Sequence, residues 1–182
     1  MIFYTRKQNF YNSHYLKKLM KVEIYCDGSC HVKKRVGAWA ALIYIDGVLY
    51  KISDVARDTT NQAMELTAVL SSLLYMEGKN IRPAQISVFT DSQYVCRLPE
   101  RRERLEKMNF CNRRGEKLPN WHLVKNLFTY LDKYDIEFHK IAAHQRPGTS
   151  PESDRLRIVD KTARKLVRTA VKNNEDLSDE NP

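Results

Sequence analysis

The sequence predicts an α/β fold in which helices flank one five-stranded mixed sheet. Three observations carry that expectation. The segments from residue 21 to 55 alternate with the period of strands and include a tight-turn signal, so they read as an antiparallel meander. Beyond residue 60 the apolar period lengthens to that of helices, and helices then alternate with single strands. At 182 residues the chain has the length of one domain, and 42% apolar with 29% charged residues is an ordinary globular composition.

Taken in order, KVEIYCDGS (21–29) places Val22, Ile24 and Cys26 on one strand face and Glu23, Tyr25 and Asp27 on the other. AWAALIYI (38–45) is a near-continuous apolar run, as expected of a strand buried on both faces. Asp46-Gly47 is a two-residue hairpin signal, and VLYKISDV (48–55) returns as the third strand. Asn61 suits the N-cap of a helix over 62–77 that Gly78 stops. AQISVFT (84–90) is the fourth strand, and a short helix starts near Ser92. Trp121, Val124, Leu127, Phe128 and Leu131 have helical spacing over 121–133, and IEFHKIAA (136–143) is the fifth strand. A Pro/Gly/Ser loop over 146–152 leads to a last helix from Asp154 to near Val171, with Leu156, Val159, Ala163, Leu166 and Val167 on its core face. The acidic end, 174–182, is expected to be a disordered tail.

The 31 basic and 22 acidic residues leave a net charge of +9, and the excess is patchy. Residues 1–20 carry four basic and no acidic side chains; residues 97–117 carry eight against four. Such patches point to a polyanionic partner. No apolar run approaches the roughly 18 residues needed to cross a bilayer, so no membrane partner is expected. The four cysteines form no C-x-x-C pair, which suits a reduced, cytoplasmic setting.

Four carboxylates stand where charge is costly. Asp27 ends an apolar strand, Glu65 lies between Met64 and Leu66 in the first turns of a helix, and Asp91 sits at a strand-to-helix junction. Asp160 lies beside Val159 within the last helix. Each alone has a structural explanation: a turn residue, a helix-terminus partner or a solvated side chain. Gathered at one place they would repel, and a hard divalent cation with oxygen ligands is the natural remedy.

These carboxylates lie in four sequence pieces, VEIYCDGSC, TTNQAMEL, FTDSQYV and VDKTARK, which appear in that order over residues 22–165. Together they resemble cellular type 1 ribonuclease H, and the basic insertion at 97–117 resembles the handle that many cellular members carry. The resemblance implies a ribonuclease H-like domain over 20–173 and hydrolysis of the RNA strand of RNA–DNA hybrids to 5′-phosphate and 3′-hydroxyl ends. It implies Asp27, Glu65, Asp91 and Asp160 as ligands to two Mg²⁺ ions about 4 Å apart, with Mn²⁺ as a substitute. His144 matches the family's loop histidine, which assists proton transfer or product release. Asn61 and Gln62 match the polar readers of the minor groove, Thr60 a contact to a DNA-strand phosphate, and Ser29 belongs to the DGS element. Arg101, Arg102, Arg104, Lys107, Arg113 and Arg114 of the handle would hold the hybrid's backbone; as a solvated helix they would instead pair with Glu100, Glu103 and Glu106.

Two points depart from the pattern. HVKKR (31–35) stands where a Gly/Asn/Pro-rich turn is usual, so Lys33, Lys34 and Arg35 put charge in place of neutral hydrogen bonds. Asp154 competes with Asp160 as the fourth ligand; Asp160 is preferred because Ala163-Arg164 follows it in register and Asp154 suits an N-cap. Residues 1–19 form a basic extension, read as disordered or as preceding the native start at Met20, with a nucleic-acid-touching arm as the alternative. A monomer is expected. An inactive hybrid- or double-stranded-RNA-binding module would gain nothing from four clustered acids, and a resolvase- or integrase-like DNA nuclease would not explain the TTNQ-x-MEL and TDS wording or the handle.

Overall fold

The apolar run at 36–45 has the consequence its composition demands. β2 (Val36–Ile45) lies inside the sheet, between β1 (Lys21–His31) and β3 (Val48–Arg57), and is antiparallel to both. The β2–β3 turn places Asp46 at φ 47° and Gly47 at φ 84°, the left-handed pair that suits a two-residue hairpin. β4 (Gln85–Thr90) and β5 (Ile136–Lys140) add in parallel on the other side of β1, giving the order β3-β2-β1-β4-β5. This is the five-stranded mixed sheet expected, with strands one to three antiparallel. The computed structural model describes residues 20–83, 85–143 and 145–179, with side chains to residue 173. The expectations for residues 1–19 and for His144 fall outside the described residues.

The two faces of β1 feed two separate cores. Val22, Ile24 and Cys26 join Leu66, Val69, Leu73 and Met76 of α1 (Asn61–Gly78) and Val124, Leu127 and Phe128 of α4 (Trp121–Lys133). Tyr25, on the opposite face, packs with Ala40, Leu42 and with Leu156, Val159 and Ala163 of α5 (Pro151–Asp179). Each fully buried Leu or Phe contributes roughly 1.5–3 kcal/mol, so the sheet is clamped from both sides. Among the described residues no helix is long and apolar enough to cross a membrane.

The fifth strand, expected over 136–143, ends at Lys140, and three helix boundaries also differ from the sequence reading. Thr60, not Asn61, caps α1: its side-chain oxygen accepts from the Ala63 N–H at 3.2 Å, and Asn61 is already helical. α5 starts at Pro151 rather than Asp154, because proline is preset for a first helical position and Ser150 Oγ accepts from the Ser153 N–H at 3.1 Å. α5 also runs on to Asp179, past the end expected near Val171 and into the stretch expected to be a disordered tail; neither Gly nor Pro interrupts the chain between Pro151 and Pro182. The basic insertion is anchored, not wholly solvated. α2 (Gln93–Cys96) and α3 (Leu98–Lys107) bury Val95, Leu98 and Leu105, and Phe110 packs near Phe128 at 6.0 Å between ring centroids.

Candidate active site

Parallel pairing of β1 with β4 runs from Lys21↔Gln85 to Tyr25↔Phe89. Two residues further along the chain from that pair come Asp27, within β1, and Asp91, just past the end of β4, where β1 continues against β2 alone. Such a divergence of neighbouring strands opens a crevice. Asp27 is only 8% exposed, and its carboxylate accepts from the Gly28 N–H at 2.7 Å.

Gly28 also sets the distance to α1. A Cβ there would lie 2.4 Å from the Glu65 nitrogen and 2.5 Å from the Met64 carbonyl carbon, so only glycine lets the first turns of α1 rest on β1. That approach delivers Glu65. Its oxygens are held by Ser92 Oγ at 2.5 Å and Asn61 Nδ2 at 2.8 Å, two donors from different elements. Ser92 is itself fixed: its Oγ accepts from the Val95 N–H at 3.2 Å and its N–H donates to Thr90 Oγ1 at 3.1 Å.

On the other face of the sheet α5 presents Ser153, Leu156, Arg157, Asp160 and Lys161, the i, i+3, i+4, i+7, i+8 stripe of one helix side. With Asp27, Asp91 and the segment after β5 they line a cavity of about 280 Å³. Asp160 pairs with Arg164 one turn on, at 2.6 Å. Asp154 is absent from the cavity lining; it accepts from the Gly148 N–H at 3.1 Å and from Arg157 Nη2 at 3.1 Å, contacts that hold its carboxyl below the usual range.

Asp27 and Glu65 respond to neighbouring carboxylates. Burial pushes the Asp27 carboxyl up to about 7; the like charge of Asp91 adds most after it, and Asp160 and Glu65 contribute, against the opposing Gly28 hydrogen bond. Glu65 is raised by burial and by Asp91, an effect its Ser92 and Asn61 donors oppose. Among the described residues, no three acidic, cysteine or histidine side chains meet closely enough to be a ready-made cation site. Local donors engage the carboxylates of Asp27, Glu65 and Asp160. The donor set nevertheless fits a hard divalent cation: all-oxygen ligands, one nearly buried, whose mutual repulsion a cation would relieve.

The positions expected to touch nucleic acid divide into two groups. Thr60, Asn61 and Gln62 are exposed at the start of α1, within one turn of Glu65, and Ser29 is half-buried one residue past Gly28. In the handle, Arg104, Lys107, Arg113 and Arg114 are exposed and Arg101 is half-buried. Arg102 is committed elsewhere: it forms a bidentate pair with Asp132 at 2.7 and 2.9 Å, reaches Glu106 at 2.9 Å, and lies over the Phe128 ring, locking α3 to α4. Sequence reasoning missed Ser92 as a partner of Glu65, gave no part to Arg157 and Lys161, and used Arg164 only to set the register of Asp160. Arg157 three residues before Asp160 and Arg164 four after it were the available signal, with Lys161 one turn beyond Arg157.

A mixed sheet in this strand order, with acidic side chains gathered at the carboxyl ends of its central strands and a helix on each face, defines the ribonuclease H-like class of fold. The family model for RNase H matches residues 20–168, and the chain belongs to that family. Among curated relatives it is similar to the ribonuclease H of Rickettsia bellii, at 29% identity over 141 residues covering 77% of this chain and 88% of that protein. It is 30% identical to the ribonuclease H of a Thermoanaerobacter species over 137 residues, 74% of this chain and 86% of that one. Among solved structures it is similar to LC9-RNase H1, described as a type 1 RNase H with the type 2 active-site motif, with a TM-score of 0.66, 17% identity, and coverage of 82% of this chain and 73% of that one. The N-terminal RNase H domain of Rv2228c from Mycobacterium tuberculosis gives 0.61 at 15% identity, over 85% and 99% of the two chains. The structural likeness speaks to the fold; with the family match it makes this an RNase H enzyme, an endonuclease that degrades RNA in RNA–DNA hybrids, in a family that depends on divalent metal.

Proposed function

We propose that Asp27, Glu65, Asp91 and Asp160 hold two divalent cations, Mg²⁺ by preference with Mn²⁺ as a substitute, at the scissile phosphate of the RNA strand. The observation that carries this reading is Asp27: a carboxylate 8% exposed, in a cavity shared with Asp91 and Asp160, with its acidity weakened by burial and by their charge. When bound, the cations supply an activated water for attack and neutralise charge on the leaving 3′ oxygen, which yields 5′-phosphate and 3′-hydroxyl ends.

The chain's own residues do the positioning. Ser92 and Asn61 orient Glu65, so one ligand is aimed before substrate arrives. Asn61 and Gln62, exposed beside Glu65, read the minor groove, where 2′-hydroxyls mark the RNA strand, and Thr60 takes a DNA-strand phosphate while capping α1. Ser29 lies beside the same path. Arg101, Arg104, Lys107, Arg113 and Arg114 hold the backbone electrostatically, whereas Arg102 serves the handle's attachment. His144 serves proton transfer or product release.

A gel assay on a labelled RNA–DNA duplex, with RNA–RNA and DNA–DNA controls and an EDTA arm, tests the reading. Cutting confined to the RNA of the hybrid, abolished by EDTA, by Asp91→Asn and by Asp160→Asn but retained in Asp154→Asn, is expected. Loss with Asp154→Asn and retention with Asp160→Asn would overturn the ligand set, and preferential DNA–DNA cutting would overturn the activity.

A further inference from the structure

A cavity lined by three carboxylates repels the phosphodiester it has to receive, and the same cavity carries two cations that the metal reading leaves without a role. Arg157 and Lys161 lie one turn apart on α5, on either side of Asp160 in sequence, and both line the cavity. Arg164, the next cation on that helix face, is already paired with Asp160 at 2.6 Å. Among the described residues neither a hydrogen bond nor an ion pair engages the Lys161 ammonium.

Arg157 is held in a set orientation. Its Nη2 donates to Asp154 at 3.1 Å, and Asp154 is anchored in turn by the Gly148 N–H at 3.1 Å, so the guanidinium is braced from the loop that precedes α5. Its Nε is buried and has no hydrogen-bond partner among the described residues. A buried N–H without an acceptor is unfavourable, and an incoming acceptor would relieve that cost. A planar guanidinium braced on one side, with donors to spare, is suited to a phosphate oxygen.

We propose that Arg157, assisted by Lys161, binds a backbone phosphate of the strand that enters the acidic cavity, and so seats that strand against the carboxylates. This rests on the hybrid-cleaving reading above and adds residues to it. The two cations offset the carboxylates for the substrate without occupying the ligand positions. Asp154 becomes a positioning residue that acts through Arg157, which gives it a part even though it lines no cavity wall.

Steady-state cleavage of the hybrid by wild type, Arg157→Ala, Arg157→Lys and Lys161→Ala tests this, together with the salt dependence of hybrid binding measured in an Asp91→Asn background, where turnover does not interfere. Arg157→Ala is expected to raise KM about tenfold with kcat changed less than threefold, and to reduce the slope of log affinity against log salt by about one. Arg157→Lys should restore most of the slope, and Lys161→Ala should give a smaller shift in the same direction. A role confined to bracing Asp154 would lower Tm and leave KM and the salt slope at wild-type values; that result would overturn the proposal. If wild type failed to cut the hybrid, the cleavage reading would fall, and the binding slopes would still decide whether Arg157 contacts phosphate.

Discussion

The two sides of the candidate site are built differently: Asp160 lines the cavity with Asp27 and Asp91, and Glu65 approaches from α1 outside its lining. Glu65 is held by donors from two elements, Asn61 on its own helix and Ser92 at the N-cap of α2, and its helix rests on β1 through a contact that admits only glycine. Asp160 is restrained within one helix, by an ion pair to Arg164 whose side chain is 48% exposed. Exposed i,i+4 pairs are worth only about 0.3–0.5 kcal/mol, whereas a hydrogen bond to a charged group contributes about 1.5–3 kcal/mol. One side of the site is therefore set by folding. The other is free to turn its carboxylate toward a cation at small cost.

The largest effect belongs to the rigid side. Gly28→Ala pushes a methyl group into the backbone at Met64 and Glu65, and about 3 kcal/mol of stability should be lost, together with most of the activity, as chemical denaturation and cleavage assays would read. An equal Cm for the variant and wild type would mean that α1 can shift, and the contrast would break.

Asp27 joins the two sides. In EDTA, Asp27→Asn should raise stability at pH 8 by about 2 kcal/mol, several degrees in Tm, because a buried charge among like charges is removed while an acceptor for Gly28 is kept. The sign follows from the weakened acidity of the folded carboxyl. A carboxyl at about 7 folded, against an ordinary 3.8, contributes stability that is fully present below the unfolded value and is lost as pH rises through about 7. Metal-free wild type should therefore become more stable from pH 8 to pH 5 relative to the Asn variant, and parallel curves would contradict the convergence of charges.

Ser92→Ala should lower kcat about tenfold, roughly 1.4 kcal/mol, by freeing Glu65, with a further stability loss of about 1 kcal/mol from the lost α2 cap. Ser92→Thr should recover both, which a purely steric account would not expect. Arg164→Ala, on the adjustable side, should change kcat less than threefold and Tm by about a degree. A tenfold loss there would show that Asp160 is as tightly positioned as Glu65.

Much of this was legible beforehand, for identifiable reasons. The antiparallel meander follows from periodicity, whereas the order of β4 and β5 beside β1 does not: alternation in KVEIYCDGS divides β1 between two cores, and the apolar run of β2 requires cover on both sides. Asp27, Glu65, Asp91 and Asp160 stood out because charge at apolar positions is costly. Helix caps were harder to read, since Thr60 and Asn61 are both good caps and only backbone geometry separates them. Contacts between distant elements left little local trace. Nothing in TDS says that its serine reaches Glu65, and Arg102 looks like any other handle cation until Asp132 is found opposite it.

The central claim is that four acidic side chains from separate elements share divalent cations. An anomalous difference map from a crystal grown with Mn²⁺ and an RNA–DNA hybrid, collected at the manganese edge, tests it most directly. Two peaks are expected, coordinated by Asp27, Glu65, Asp91 and Asp160 and flanking one phosphate of the RNA strand. No peak among these residues, or manganese held by Asp154 in place of Asp160, would contradict it.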